Sequence, residues 1–288
     1  MQIAWSGLSQ CYEFDTGEIM GGIQPFTNYH GICGLMHRGY RAGVVRHSKA
    51  LLNAEYYLRP GSGMVMYPRR LTLERKVAHE LNQNGVAVHF PAEPDFGLEM
   101  DLVYRPHGDA VDLKMTIRPS VDIQRFEIFF ASYIAEVFDE TWVLIANAEM
   151  GRTWTRLNNR AVINRTFGVA RNDLSREMIQ DGRYGEPERG LHRDLEESDF
   201  SLPILAARNS TNGFTLVFLC DPTHTTYLTG QYHGWDTAHD WCYGADLAAG
   251  AEMVANTRMV YRCFPDARVL GRGIAELWTA FAGPGSKS

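Results

Sequence analysis

The chain has 288 residues, 45% of them hydrophobic and 22% charged, a balance that fits a folded globular protein and argues against a disordered one. Its net charge of -6, with no long basic block, gives no electrostatic footprint for nucleic acid or for an anionic membrane surface. No apolar run is long enough to cross a bilayer, and five cysteines without a CxxC pair fit reduced thiols and not a zinc ribbon.

The opening segment, Met1-Gln2-Ile3-Ala4-Trp5-Ser6-Gly7, has neither the basic start nor the apolar core of a secretory signal, so a cytoplasmic location is expected. Strands are predicted at 11–14, 52–58, 71–77 and 86–90. The clearest periodicity follows, where Leu98, Met100, Leu102 and Tyr104 alternate with Glu99, Asp101, Val103 and Arg105. After the turn residues Pro106-His107-Gly108-Asp109 the alternation resumes with Val111, Leu113, Met115 and Ile117, which predicts an antiparallel hairpin. Further strands are predicted at 126–133 and 141–146.

Between 151 and 203 the strand rhythm is lost and charge, asparagine and glycine become dense, which predicts a long loop-rich insertion acting as a lid or site wall. Within it Asn172 and Asp173 cap a short helix over 174–180 that Gly182 ends. The apolar run 214–219 reads as a strand covered on both faces. A last long strand spans 253–262, and Ile274, Leu277, Trp278 and Phe281 fall at the spacing of a C-terminal helix. The expected fold is all-β: one antiparallel β-sandwich domain over 1–288, with few short helices and a helix at its end.

The stretches Asn28-Tyr29-His30-Gly31-Ile32, Phe129-Phe130-Ala131-Ser132-Tyr133 and Asp221-Pro222-Thr223-His224, with a Leu247-Ala248-Ala249-Gly250 turn before the last long strand, resemble the galactose mutarotase-like supersandwich superfamily, in its bacterial branch. The resemblance covers roughly residues 12–262 and implies a small-molecule carbohydrate ligand. The superfamily holds mutarotases, epimerases, lyases and accessory domains, so it implies no single reaction. Its pairing of a histidine acid with a late glutamate base has no clear counterpart here, since Glu252 is the only acid where the last long strand begins.

The residues themselves point to 221–243, read as one loop-rich stretch in which His224, His233 and His239 mix with Asp221, Tyr232, Trp235, Asp236, Asp240 and Trp241. Sugars present apolar C–H faces ringed by hydroxyls, so their sites need flat aromatics beside hydrogen-bonding groups. Histidine titrates near neutrality and can give or take the protons of ring opening, epimerisation or elimination. His224, His233, His239, His30 and Tyr133 are therefore the candidate catalytic residues. Trp235, Trp241, Tyr232 and Asp221 are candidate binding residues, joined by the arginine pair Arg152 and Arg156, and by His37 and Arg38 before Gly39.

The leading expectation is a carbohydrate-active enzyme of isomerase, epimerase or lyase type that needs no cofactor. The alternatives are a non-catalytic carbohydrate-binding protein and a metal-dependent hydrolase or lyase. The metal reading rests on the three histidines, with His30, His89 or His192 as distant ligands of a divalent ion. Neither a nucleophile elbow nor a phosphate-binding loop is present, and the sequence leaves the oligomeric state open.

Overall fold

Alternation of apolar side chains makes most of this chain into strands with one face to hide, and two stacked sheets hide them. The computed structural model describes residues 1–46, 48–59, 63–65, 67–94, 97–183 and 193–283. The chain begins with an antiparallel meander, β1 (Gln2–Ser6), β2 (Cys11–Asp15), β3 (Ile19–Gln24) and β4 (Gly31–His37), which forms a separate four-stranded sheet. It continues through β5 (Asn53–Arg59), β6 (Gly63–Val65), α1 (Tyr67–Leu73), β7 (Ala78–Asn82), β8 (Gly85–Phe90), β9 (Leu98–His107), β10 (Ala110–Pro119) and β11 (Ile123–Ala135). Next come β12 (Glu140–Asn147), β13 (Gly151–Arg156), β14 (Thr166–Ala170), α2 (Asp173–Gln180) and β15 (Arg193–Leu195). The last elements are β16 (Phe200–Arg208), β17 (Phe214–Cys220), β18 (Thr225–Tyr232), β19 (Asp236–Leu247), β20 (Met253–Cys263) and α3 (Ala267–Ala282).

Two large sheets make the sandwich: a nine-stranded sheet in the order β13-β12-β16-β17-β20-β10-β9-β8-β7 and a seven-stranded sheet in the order β15-β14-β18-β19-β11-β5-β6. Among the described residues, all strand pairings are antiparallel except β14 with β15. The predicted hairpin is β9–β10, with Leu113 opposite Tyr104 and Met115 opposite Leu102, all buried between the sheets. Across that interior Trp241 of the seven-stranded sheet stacks on Phe130 of its own sheet at 5.7 Å and meets Phe218 of the nine-stranded sheet at 5.3 Å. The C-terminal helix lies where its spacing predicts: Leu270, Ile274 and Trp278 cover Ile204, Val217 and Val260 on the outer face of the nine-stranded sheet. Asp266 caps it, accepting from the Val269 N–H at 2.8 Å. Among the described residues, no helix is long and apolar enough to cross a membrane.

Three local expectations need correction. The strand predicted at 71–77 is α1 followed by a turn, because Pro68 pre-sets the first helical turn and the buried set Tyr67, Pro68, Leu71 and Thr72 has helical spacing. The insertion at 151–203 holds β13, β14, α2, β15 and the start of β16, with Asn172 capping α2 through the Ser175 N–H at 3.0 Å. Its strands are short, and three of them lie at or next to sheet edges, where one-sided burial permits the charge that hides the rhythm. The stretch 221–243 is mostly the strands β18 and β19, joined by a tight turn.

Candidate functional site

The turn between β18 and β19 reads His233-Gly234-Trp235-Asp236, and the His233 N–H donates to the Asp236 carbonyl at 2.9 Å. Gly234 has φ +91°, and glycine in the first of two loop positions is what a type II′ hairpin demands. Such a loop sets the residues on either side directly opposite each other, with side chains on one face. His233 and Asp236 therefore pair by construction: imidazole Nδ1 lies 2.6 Å from Asp236 Oδ1, and the carboxylate is fully buried. His233 Nε2 lies 3.2 Å from Gln231 Oε1, whose amide is oriented by its own NH2 donating to the Asn164 carbonyl at 2.9 Å. Both ring nitrogens thus face oxygen acceptors. Trp235 projects from the tip and is 56% exposed.

Alternation along β19 then sorts the rest of the stretch. Asp236, Ala238 and Asp240 fall on the outer face of the seven-stranded sheet, while His239, Trp241 and Tyr243 fall on the core face. On β11 the same outer face carries Phe129, Ala131 and Tyr133. Register puts Tyr133 opposite Ala238 and Ala238 opposite Gln231, so a methyl group lies between two long side chains in one row across three strands. That short residue opens a cleft of about 300 Å³, lined by Tyr29, Lys49, Phe129, Tyr133, Asn164, Gln231, His233, Trp235, Ala238 and Asp240. Its volume is at the lower end of the range usual for small-molecule sites, about 300–1,000 Å³.

A second carboxylate-backed group faces the first. The Tyr133 hydroxyl donates to Glu55 Oε2 at 2.8 Å, and the Tyr133 ring lies 6.1 Å from the His233 ring at an interplanar angle of 30°. Glu55, 1% exposed, comes from β5, and Arg69 of α1 lies 3.7 Å from its other oxygen while also bonding Asn28. Tyr29 packs edge-on to Tyr133 at 5.0 Å. The Lys49 ammonium lies 4.3 Å from the Tyr29 ring centroid and 4.2 Å from that of Tyr133, and donates to the Tyr29 hydroxyl at 2.9 Å.

His233, Tyr133 and Trp235 are the sequence-predicted site residues that converge on this cleft. His239 has no exposed surface and closes a neutral chain: Asn159 donates to Thr141 Oγ1 at 3.0 Å, Thr141 lies 2.9 Å from His239 Nε2, and His239 Nδ1 faces the Thr237 carbonyl at 3.3 Å. Burial pushes its pKa down to about 3. His30 is enclosed likewise, accepting the Ala54 N–H on Nε2 at 3.1 Å, with its pKa also pushed down to about 3 by burial. Gly31 beside it has φ +108°, and a Cβ there would meet the Leu51 carbonyl at 2.3 Å, so the glycine serves a close backbone approach. Trp241 belongs to the core.

The remaining predicted residues lie away from the cleft or brace its edge. Asp221 and His224 lie at the β17–β18 turn, where the Asp221 carboxylate accepts from the backbone of Thr223, His224 and Asn256. The Tyr232 hydroxyl donates to the Gly234 carbonyl at 2.9 Å and braces the hairpin tip. Arg152 and Arg156 lie on β13 at the edge of the nine-stranded sheet, with Arg156 3.4 Å from Glu140. His37 packs on Phe214 and Tyr261, its pKa lowered by desolvation, and Arg38 pairs with Asp15 on the surface. His192 lies outside the described residues.

A set of possible metal ligands and a larger cavity lie away from the cleft. Among the described residues, the one set of three ligand atoms close enough to share an ion is His89, Glu99 and Asp101, and Arg118 already bridges the two acids at 3.1 and 2.6 Å. The histidines 224, 233 and 239 do not form such a set. A cavity of about 660 Å³ lies on the outer face of the nine-stranded sheet beside Phe281, and is larger than the cleft. Arg258 there holds Asp112 at 2.6 and 2.9 Å, Arg105 bonds Asn84, and among the described residues its lining includes no histidine or tyrosine.

Sequence reasoning missed Lys49, Glu55, Asn164 and Gln231. The signal for the hairpin was present in His-Gly-Trp-Asp between two alternating runs. Glu55 lies within the strand predicted at 52–58, but nothing local marks it as buried and turned to a cleft.

No family model and no curated protein sequence matches this chain. Solved structures do match in shape. The galactose mutarotase related enzyme of Lactobacillus acidophilus superposes with a TM-score of 0.53 at 9% identity, covering 89% of this chain and 98% of that one. A Synechocystis protein gives 0.53 at 11%, covering 88% and 95%. The α-N-acetylgalactosaminidase of Bifidobacterium bifidum, in complex with GalNAc, gives 0.55 at 13%; 94% of this chain is covered and 38% of that one. At such identities the shared property is the fold: this chain has the galactose mutarotase-like sandwich.

Proposed function

We propose that this chain is a carbohydrate-active enzyme of isomerase or epimerase type, which moves protons on a sugar between His233 and Tyr133. The observation that carries the reading is the pair itself: two proton-bearing rings 6.1 Å apart in one cleft, each backed by a buried carboxylate. General acid–base chemistry needs a donor and an acceptor held on either side of the reacting atoms. Opening a cyclic hemiacetal is the reaction that such a pair fits best. Tyr133 takes the proton of the anomeric hydroxyl as it passes its own to Glu55, an N–H of His233 supplies a proton to the ring oxygen, and the bond from that oxygen to the anomeric carbon breaks. A carbonyl results, and the reverse transfers on its other face close the ring with the opposite configuration.

The exposed Trp235 indole supplies a flat apolar surface for the C–H face of a sugar, with Gln231, Asn164 and Asp240 as hydrogen-bonding groups around it. The fold shared with sugar-handling structures supports the ligand class, and the cleft supports the reaction type. Exchange spectroscopy on a panel of free aldoses tests the reading. The wild type is expected to accelerate interconversion of the anomers, and His233→Ala and Tyr133→Phe each to lower the rate by about 10²-fold or more. Binding without acceleration by the wild type would move the protein to the non-catalytic class, and full activity in both variants would refute the assigned roles.

A further inference from the structure

The cleft holds a cation that its own acids do not use. Asp236 is bound to His233, Glu55 accepts from Tyr133 with Arg69 nearby, and Asp240 is likewise engaged. Lys49 has no carboxylate partner among the described residues; its ammonium is held by two aromatic faces and donates to the Tyr29 hydroxyl. An ammonium has three N–H donors, so two remain, and the Tyr29 hydroxyl, which accepts from Lys49, keeps its own proton to donate. Both residues line the cleft. On the rim, the Arg46 guanidinium lies over the Trp235 ring at 5.2 Å and adds a second cation without a carboxylate partner among the described residues.

We infer that the cleft selects a sugar carrying an anionic substituent, a carboxylate or a phosphate, received by Lys49 and Tyr29. The inference rests on the proposed function, whose proton-transfer pair occupies the same cleft. Tyr133 joins the two parts: its ring lies 4.2 Å from the ammonium and 6.1 Å from the His233 ring, so one aromatic ring separates the anion-binding group from the proton donor. The two tyrosine faces fix the lysine stem and cut the ordering that binding would otherwise require. A half-buried ammonium with spare donors and no carboxylate partner among the described residues gains a charge-assisted hydrogen bond when an anion arrives, and gains much less from a neutral hydroxyl.

Calorimetry of the whole protein with matched ligands tests this: glucose and galactose as neutral sugars, glucuronate and galacturonate as carboxylates, and the two hexose 6-phosphates. In the wild type at least one anionic class is expected to bind about tenfold or more tightly than the neutral sugars, and the class that gains identifies the substituent. Lys49→Met should collapse the anionic-to-neutral ratio to about one, and Lys49→Arg should retain most of it. Should Lys49→Met fail to fold, the wild type alone still decides, because added salt must weaken the anionic ligands and spare the neutral ones. An anionic-to-neutral ratio near one in the wild type, or an unchanged ratio in Lys49→Met, overturns the inference and leaves the acid–base reading standing. If no sugar of any class binds, both fall.

Discussion

His233 and His239 are six positions apart on one hairpin, yet their removal should have opposite consequences. His239 and His30 are neutral and enclosed, with pKa values pushed from 6.5 down to about 3 by burial. In the unfolded chain both regain the ordinary value, so between pH 6.5 and pH 3 the unfolded state binds protons that the native state refuses. Stability then rises with pH across that window, and is lost as pH falls through the unfolded value. Each histidine contributes a slope of about 1.4 kcal/mol per pH unit well below 6.5, so the pair costs roughly 5 kcal/mol between pH 6.5 and pH 4.5. That is a large part of the 5–15 kcal/mol typical of a folded protein. Urea midpoints at constant ionic strength, for the wild type and for His239→Gln, give the slope directly. The variant should lose His239's own share of the slope, about 1.4 kcal/mol per pH unit well below 6.5, while sugar turnover at pH 7 persists wherever the variant is folded. His233→Ala should do the reverse, keeping the slope and losing turnover. Equal acid slopes in the wild type and His239→Gln would refute the neutral, structural assignment of His239.

Two further substitutions probe the cleft without touching either proton-bearing ring. Ala238→Leu adds three carbons to the floor between Tyr133 and Gln231, so affinity for any sugar should fall by about tenfold or more in calorimetry, while overpacking costs about 1–3 kcal/mol of stability by urea titration. Asp236→Asn keeps the size of the side chain but removes the charge that anchors His233 Nδ1, so kcat should drop by about 10²-fold with a smaller change in KM, and the pH–rate profile should shift. An unaltered profile in that variant would show that Asp236 only shapes the hairpin.

Much of the architecture was legible because two-residue periodicity over ten positions admits few readings. The β9–β10 pair and the apolar run of β17 follow from sequence for that reason, and α3 follows from its 3.6-residue stripe. Short elements carry too little pattern. Seven residues of α1 show only two apolar repeats, and the parallel pairing of β14 with β15 depends on contacts far from either strand. The site was half legible for a related reason. Residue types rich in chemistry cluster between 221 and 243, but composition says nothing of which face each side chain takes, and reading the stretch as loop removed the one rule that separates them. Once it is two strands, alternation alone sends His239 and Trp241 inward and Asp240 outward.

What no local pattern contains is the second half of the cleft. Glu55 reaches Tyr133 across 78 residues of sequence because β5 pairs with β11, and Lys49 arrives on the loop that leads into β5. Each is unremarkable where it stands: one acid in a short strand, one lysine in a loop. Their meaning comes from burial. A carboxylate hidden at the cleft must be met by donors, and Tyr133 and Arg69 meet it; Lys49 has no acid partner among the described residues, and its inferred partner is an anionic ligand. The proposed acid–base pair therefore depends on His233, fixed by a four-residue turn, and on Tyr133, fixed by long-range strand pairing. A lesion in β5 far from the hairpin, such as Glu55→Gln, should impair catalysis as much as one beside His233.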